Sequence, residues 1–154
     1  MRRVFATAWT IWVIDFATKA WALQSLSAEP RPIVGTLLQF TLVHNSGAAF
    51  SFATGFSIAF TLLALAVVVT TIFFAPKITS RGWQIALGLL LGGVLGNLTD
   101  RIFRTPGFLS GHVIDWIQIP HWPVFNIADT AICIAAAISF ILSMRNVPPI
   151  TRVR

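Results

Sequence analysis

Val113-Ile114-Asp115-Trp116-Ile117, followed by Phe125-Asn126-Ile127-Ala128-Asp129, stands immediately ahead of the last long apolar run of this chain. Each stretch sets an aspartate among large hydrophobic side chains. Acid is scarce elsewhere: the 154 residues include five Asp and Glu, at Asp15, Glu29, Asp100, Asp115 and Asp129, and all but Glu29 lie in or beside strongly apolar sequence. A charge in apolar surroundings is costly unless it is paired, so this placement calls for partners or for a function.

The whole chain is 56% hydrophobic and 10% charged, with a mean hydropathy of +0.79. An ordinary soluble domain carries roughly 25% charged residues. The chain therefore reads as a small polytopic membrane protein. A net charge of +6 raises nucleic acid as a partner, but the Lys and Arg residues fall in ones and twos between apolar runs and form no basic stripe; no nucleic acid is expected. The single cysteine, Cys133, excludes an internal disulfide and a Cys-rich metal site, and within its apolar run it reads as a small buried hydrophobe.

The fold class expected is all-α membrane: a single polytopic domain over 1–154 with four transmembrane helices at about 4–23, 56–75, 83–101 and 127–144. A run of about 20 apolar residues spans the roughly 30 Å bilayer core at 1.5 Å per residue. The first run resembles a secretory signal peptide in having Arg2 and Arg3 ahead of it, but Asp15 and Lys19 inside it argue against an h-region. These two are four residues apart, on one helix face, and can pair. Residues 24–55 lose helical periodicity. Leu38, Phe40 and Leu42 alternate with Gln39, Thr41 and Val43, and a turn at His44-Asn45-Ser46-Gly47-Ala48-Ala49-Phe50 follows, so a small β-rich element is expected over about 33–52. Gly88, Gly92 and Gly96, with Gly93 beside them, give the third helix a small-residue face for close packing. Residues 102–123, punctuated by Pro106, Gly107, Gly111, Pro120 and Pro123, read as a loop.

Placing the N-terminus inside puts Arg2, Arg3, Lys77, Arg81, Arg145, Arg152 and Arg154 on the cytoplasmic side and leaves Arg31, Arg101, Arg104 and Lys19 towards the other. The positive-inside rule thus favours N-in and C-in. The acidic residues and the β-rich segment then share the outer side, so any chemistry is expected there.

Asn126 with Asp129 three residues later is an N-cap with a first-turn carboxylate, which meets free backbone N–H groups and the positive end of the helix dipole; capping alone would account for Asp129. Asp115 has no local polar company and is either loop-exposed or partnered from elsewhere. Gly96-Asn97-Leu98-Thr99-Asp100-Arg101 sets three polar groups at the outer end of the third helix, where such groups mark a site or a structural ion pair of Asp100 with Arg101 or Lys19. Two carboxyls converging on one water form a hydrolytic device, because like charges close together share a proton and titrate as a unit. No His-Glu-x-x-His or Gly-x-Ser-x-Gly competes for the role, and His44, His112 and His121 are scattered loop or interfacial residues. No metal or cofactor is expected.

Five motifs in order, Asp15-Phe16-Ala17-Thr18-Lys19, Asn45-Ser46-Gly47-Ala48-Ala49-Phe50, Gly96-Asn97-Leu98-Thr99-Asp100-Arg101, Val113-Ile114-Asp115 and Phe125-Asn126-Ile127-Ala128-Asp129, resemble the lipoprotein signal peptidases, or signal peptidase II. The resemblance implies an intramembrane aspartic endopeptidase of the cytoplasmic (inner) membrane, with its site on the extracytoplasmic side. It would cut diacylglyceryl-modified prolipoproteins just before the lipidated cysteine. The catalytic dyad falls on Asp115 and Asp129; Asn45, Gly47, Asn97, Asp100, Arg101 and Asn126 line or order the site; Asp15 and Lys19 support the fold. The partners implied are the lipidated prolipoprotein and membrane lipid, with a monomer as the working expectation. Phe50 and Trp116 are candidates to bound a pocket for peptide or lipid. One departure is a longer interval between Asp100 and Asp115 than the family usually has, through an enlarged loop at 103–110. Two rivals use other residues: a proton- or ion-coupled transport protein with Asp15, Lys19, Asp100 and Arg101 as a relay, and a Ser–Lys protease using Ser46 or Ser51 with Lys19.

Overall fold

The computed structural model describes residues 1–47 and 57–150. Among them, helix α1 runs Arg2–Ser25, strands β1 and β2 cover Arg31–Val34 and Leu38–Asn45, helix α2 covers Ser57–Phe74, helix α3 Arg81–Phe103, strand β3 Val113–Gln118 and helix α4 Ile127–Met144. Ala48, Ala49, Phe50, Ser51, the expected start of the second helix at 56, and Arg152 and Arg154 lie outside the described residues.

Ser57–Lys77, Arg81–Phe103 and Ile127–Met144 are long and apolar enough to cross a membrane. Their outer surfaces are apolar as well, with Leu62, Leu63, Val69, Phe73, Phe140 and Ile141 exposed. Contiguous surface of this kind is unsuited to water and belongs against lipid. Helix α1, 24 residues long, falls below that apolarity through Asp15 and Lys19, yet both are buried at 1% exposure while Trp9, Val13, Ile14 and Phe16 face out. The two charges are turned inward and its outer surface matches that of its neighbours. Cys133 is exposed, which corrects the expectation of a buried thiol: α4 packs through Ala128, Ala131 and Ala135, and Cys133 falls off that line.

Helix α3 is the centre of the bundle, packed against α1, α4 and α2. The glycines explain how. A Cβ on Gly92 would stand 2.6 Å from the backbone oxygen of Ala8 in α1, and one on Gly93 would stand 2.5 Å from that of Ala128 in α4. No side chain fits at either position, so adjacent glycines let two helix backbones touch α3 on different sides.

The strands form one antiparallel sheet in the order β1-β2-β3, seated over the end of the bundle where α1 and α3 finish and α4 begins. Strand β3 corrects the loop expected over 102–123. Its residues Val113 to Trp116 are all buried, so the run lacks the alternation that marks a half-exposed strand, and its partner β2 lies far away in sequence. Ile117 also bridges to Phe125, which returns the chain to the start of α4. Trp116 packs edge-on against Trp21 and Phe40, with ring centroids 5.4 and 5.0 Å away. It therefore clamps the sheet to α1, and the residues lining the cleft described below do not include it, contrary to its expected role at a pocket.

Candidate active site

Asp115 and Asp129 arrive from different elements and line the same cleft of about 590 Å³, together with Asn45, Asn97 and Arg101. Asp115 is the third residue of β3 and lies opposite Val43 of β2. Asn45, two residues further along β2, is on the same face and donates from Nδ2 to Asp115 Oδ2 at 2.8 Å. Asp129 sits in the first turn of α4. There Asn126 Oδ1 accepts from the Asp129 backbone N–H at 2.9 Å, and Asp129 Oδ2 accepts from the Asn126 N–H at 3.3 Å. This is the reciprocal capping box the spacing predicts.

Asn126 does more than cap. Its Nδ2 donates to Asp115 Oδ1 at 2.6 Å, so one residue meets one carboxylate through its backbone and the other through its side chain. Asn97 Nδ2 donates to Asp129 Oδ1 at 2.7 Å. The three asparagines share a logic. Each amide oxygen is already engaged: Asn45 Oδ1 by the Gly47 N–H at 2.9 Å, Asn126 Oδ1 by the Asp129 N–H, and Asn97 Oδ1 by Lys19 Nζ at 2.9 Å and Asn126 Nδ2 at 3.1 Å. With the oxygen tied, each amide turns its N–H₂ towards a carboxylate. Gly47, with φ +143°, is in a region that favours glycine and lets the turn after β2 bring its N–H back to Asn45.

Replacing Asn126 with Ala is expected to cost about 0.5–2 kcal/mol through the lost cap and to remove the side-chain donor to Asp115, while the backbone N–H to Asp129 stays. Asn126→Asp keeps a capping oxygen but removes the donor to Asp115. If the two variants unfold at the same temperature in detergent, the cap contributes nothing of its own.

Outside the cleft, Lys19 Nζ is 2.7 Å from Asp15 Oδ2 and 2.8 Å from Asp100 Oδ2. With Asn97, these use all three of its N–H donors. Asp15 Oδ1 also accepts from the Ala128 N–H at 2.9 Å, joining α1 to the start of α4, and Asp100 accepts from Arg104 and from the Ile114 N–H at 3.3 Å, joining α3 to β3. Asp100 thus pairs with Lys19 and Arg104, and Arg101 turns instead towards α2, where its Nη1 donates to Ser57 Oγ at 2.9 Å and its guanidinium lies 5.8 Å from the Phe60 ring centre. Arg104, Ser57 and Phe60 were not among the expected site residues. The i, i+4 spacing of Asp100 and Arg104 is a legible signal; Ser57 and Phe60 carry none. Lys19, fully engaged, is not available as the base of a Ser–Lys pair.

Asp115 stays protonated to unusually high pH. Burial penalises its charged form, the nearby Asp129 charge adds to this, and the Asn45 and Asn126 hydrogen bonds act the other way; the balance pushes its pKa up to about 7. Below the aspartates the cleft becomes apolar, walled by Leu63, Val67, Leu90, Val94 and Ile132 of α2, α3 and α4. Polar recognition is confined to one end and space for hydrocarbon occupies the other. Among the described residues no cluster suited to a metal ion occurs.

Fold and site together define a multi-pass membrane protein with two carboxylates at the polar end of an apolar cleft. A family model for signal peptidase (SPase) II matches residues 7–145. The chain is 43% identical over 145 residues to a lipoprotein signal peptidase of Mycobacterium avium, covering 94% of this chain and 80% of that one, and 46% identical over 147 residues to one of Streptomyces coelicolor, covering 95% and 72%. A solved bacterial membrane enzyme superposes with a TM-score of 0.82 at 23% identity over 100% of this chain and 96% of its own; a second gives 0.81 at 24% over 94% of each. The chain belongs to the signal peptidase II family and is a peptidase.

Proposed function

We propose that this chain removes signal peptides from diacylglyceryl-modified prolipoproteins, cutting before the lipidated cysteine with Asp115 and Asp129 as the catalytic dyad. The observation that carries the reading is the shared cleft, in which two aspartates stand where a polar end meets an apolar channel. A diacylglyceryl group partitions into hydrocarbon at about 0.8 kcal/mol per buried CH₂, so a lipid-accessible channel holds the acyl chains while the peptide lies across the sheet end. The ionised aspartate takes a proton from water, the resulting hydroxide attacks the scissile carbonyl, and the protonated aspartate gives its proton to the carbonyl oxygen. Collapse of the gem-diol returns that proton and sends one to the departing amine. We assign the base to Asp129, at the positive end of α4, and the acid to Asp115. Asn45, Gly47, Asn97, Asp100, Arg101 and Asn126 order the site, and Asp15 and Lys19 support it.

The same reading takes 1–154 as a single domain with four spans. Helix α1 is the fourth, since its charges are turned inward. With N- and C-termini inside, the sheet and dyad lie on the extracytoplasmic side of the cytoplasmic membrane, and the protein works as a monomer. The gathering of Asp15, Lys19, Asp100 and Arg101 at one end of the bundle disfavours the transport alternative, whose relay needs polar groups through the full depth. The experiment is cleavage of a purified prolipoprotein with and without its diacylglyceryl group by the protein in detergent micelles. Equal rates on the two substrates would overturn the lipid requirement.

The alkaline side of the rate profile tests the acid. Asp115 holds its proton to about pH 7, so turnover is expected to fall about tenfold per unit as pH rises beyond that value and the singly protonated pair is lost. The linkage to stability has the same sign: a folded pKa raised above the ordinary 3.8 stabilises the fold fully below 3.8, and that contribution disappears as pH rises through about 7. A flat kcat between pH 6 and 9 would exclude Asp115 as the acid.

A further inference from the structure

Four carboxylates, Asp15, Asp100, Asp115 and Asp129, gather at the sheet end of the bundle with three cations, Lys19, Arg101 and Arg104. Lys19 touches Asp15 and Asp100, Arg104 touches Asp100, and Arg101 interacts electrostatically with Asp100, Asp115 and Asp129. Among the described residues, α1 brings Asp15 and Lys19, α3 brings Asp100, Arg101 and Arg104, β3 brings Asp115, α4 brings Asp129, and α2 faces the cleft with uncharged side chains such as Ser57, Phe60 and Leu63; in the segment between β3 and α4, His121 beside the cleft-lining Trp122 is exposed. On β2 the neighbour Asn45 is uncharged and His44 is exposed, while His112, half-buried before β3, has its backbone N–H on Thr105 O. In such a setting, an uncompensated charge costs more than a paired one.

From this balance we infer that Lys19 is a positioning residue for the dyad's proton, holding the pair in the singly protonated state through Asn97 and through the charge count. With one proton on the pair, four carboxylates and three cations leave the cluster neutral. Lys19 also occupies Asn97 Oδ1, so that Asn97 presents only N–H to Asp129. Without Lys19 the cluster carries one excess negative charge, which a second proton on the pair removes. Asn97 Oδ1 then keeps only the longer contact from Asn126 Nδ2 at 3.1 Å, which weakens the hold on its orientation and eases a flip that turns its oxygen towards Asp129, an arrangement that suits only a protonated carboxyl. Both effects load the dyad with two protons and take away its base. A support that merely held α1 against α3 would alter the folded fraction and leave the rate profile of the folded enzyme in place.

The inference rests on the dyad reading of Asp115 and Asp129. Its test is the acid limb of kcat against pH, measured on folded protein in micelles with a lipidated prolipoprotein. Lys19→Met is expected to move the acid limb about one unit or more towards higher pH, with KM little changed. The double variant Lys19→Met with Asp15→Asn restores the charge count and should bring the limb most of the way back. Arg104→Gln, at a half-exposed residue that a folded protein can lose, removes one positive charge from the same cluster and should move the limb in the same direction by less; it decides the charge argument if Lys19→Met does not fold. An acid limb unmoved in the folded variants, or a double variant displaced as far as Lys19→Met, would overturn the inference. Asp115→Asn and Asp129→Asn run alongside separate the two failures: if either cleaves normally, the dyad reading itself falls, whereas inactive Asp variants beside an unmoved acid limb remove only the role given to Lys19.

Discussion

Asp115→Asn should lower the cleavage rate by at least roughly 10³-fold, within or beyond the range that a positioned acid or base contributes, while the protein folds as before. The substitution is nearly isosteric. The amide oxygen it introduces can still accept from Asn126 or Asn45, the α4 cap formed by Asn126 and Asp129 is untouched, and the strand pairing of β3 with β2 is made by backbone groups. What is lost is a proton that can be given and taken back. Asp129→Asn should be as severe, and the double variant scarcely worse than either single, because two groups that act as one unit are not additive. Substantial cleavage by Asp115→Asn, in preparations shown to be free of wild-type enzyme, would remove the aspartic mechanism. Asp115 is the better probe of the two: Asp129 has a structural duty in the capping box, so its loss mixes two effects.

Gly93→Val should destabilise the bundle by more than the roughly 1–3 kcal/mol usual for overpacking, and cleavage should fall with it. The reason is the identity of the atom in the way. A Cβ at Gly93 meets the backbone oxygen of Ala128 at 2.5 Å, so relief requires α3 and α4 to separate, and Ala128 is the residue before Asp129. At Gly82, by contrast, a Cβ would meet the end of the Leu142 side chain at 3.0 Å, which can rotate away; Gly82→Ala should be mild. Unfolding of the two variants in graded denaturing detergent gives the comparison, and equal midpoints would show that α3 and α4 do not depend on this contact.

Both predictions turn on contacts whose legibility in the sequence differs. The glycine run announces a close-packed helix face, because spacing by four is a property of the helix itself. It does not say that Gly92 faces α1 while Gly93 faces α4. The Asp15–Lys19 pair and the Asn126–Asp129 box are equally local: four-residue and three-residue separations bring side chains together on any helix. The long-range donors are of another kind. Asn45 reaches Asp115 across 70 residues of chain and Asn97 reaches Asp129 across 32, and no periodicity encodes either. Asn97 was legible as one of the polar groups at the outer end of the third helix, and Asn45 entered the expected site through family resemblance; neither signal states what the residue touches.

Strand β3 shows the limit most clearly. Val113-Ile114-Asp115-Trp116-Ile117-Gln118 is too short and too uniformly apolar to declare itself, and the prolines after it imitate a loop. Only its pairing with β2 makes it a strand, and only that pairing places Asp115 beside Asn45.

Length, apolarity and the expense of unpaired charge are local quantities, so a membrane setting, the approximate limits of the helices and the cost of the few acids were all legible along the chain. It took the assembled bundle to settle that Lys19 serves Asp15, Asp100 and Asn97 together, that Arg101 is left to the cleft, and that one asparagine bridges the two aspartates of the opening stretch. Those arrangements depend on three helices and a sheet meeting at one end of the bundle, and a hydrogen bond's few ångströms of reach become available only once they have met.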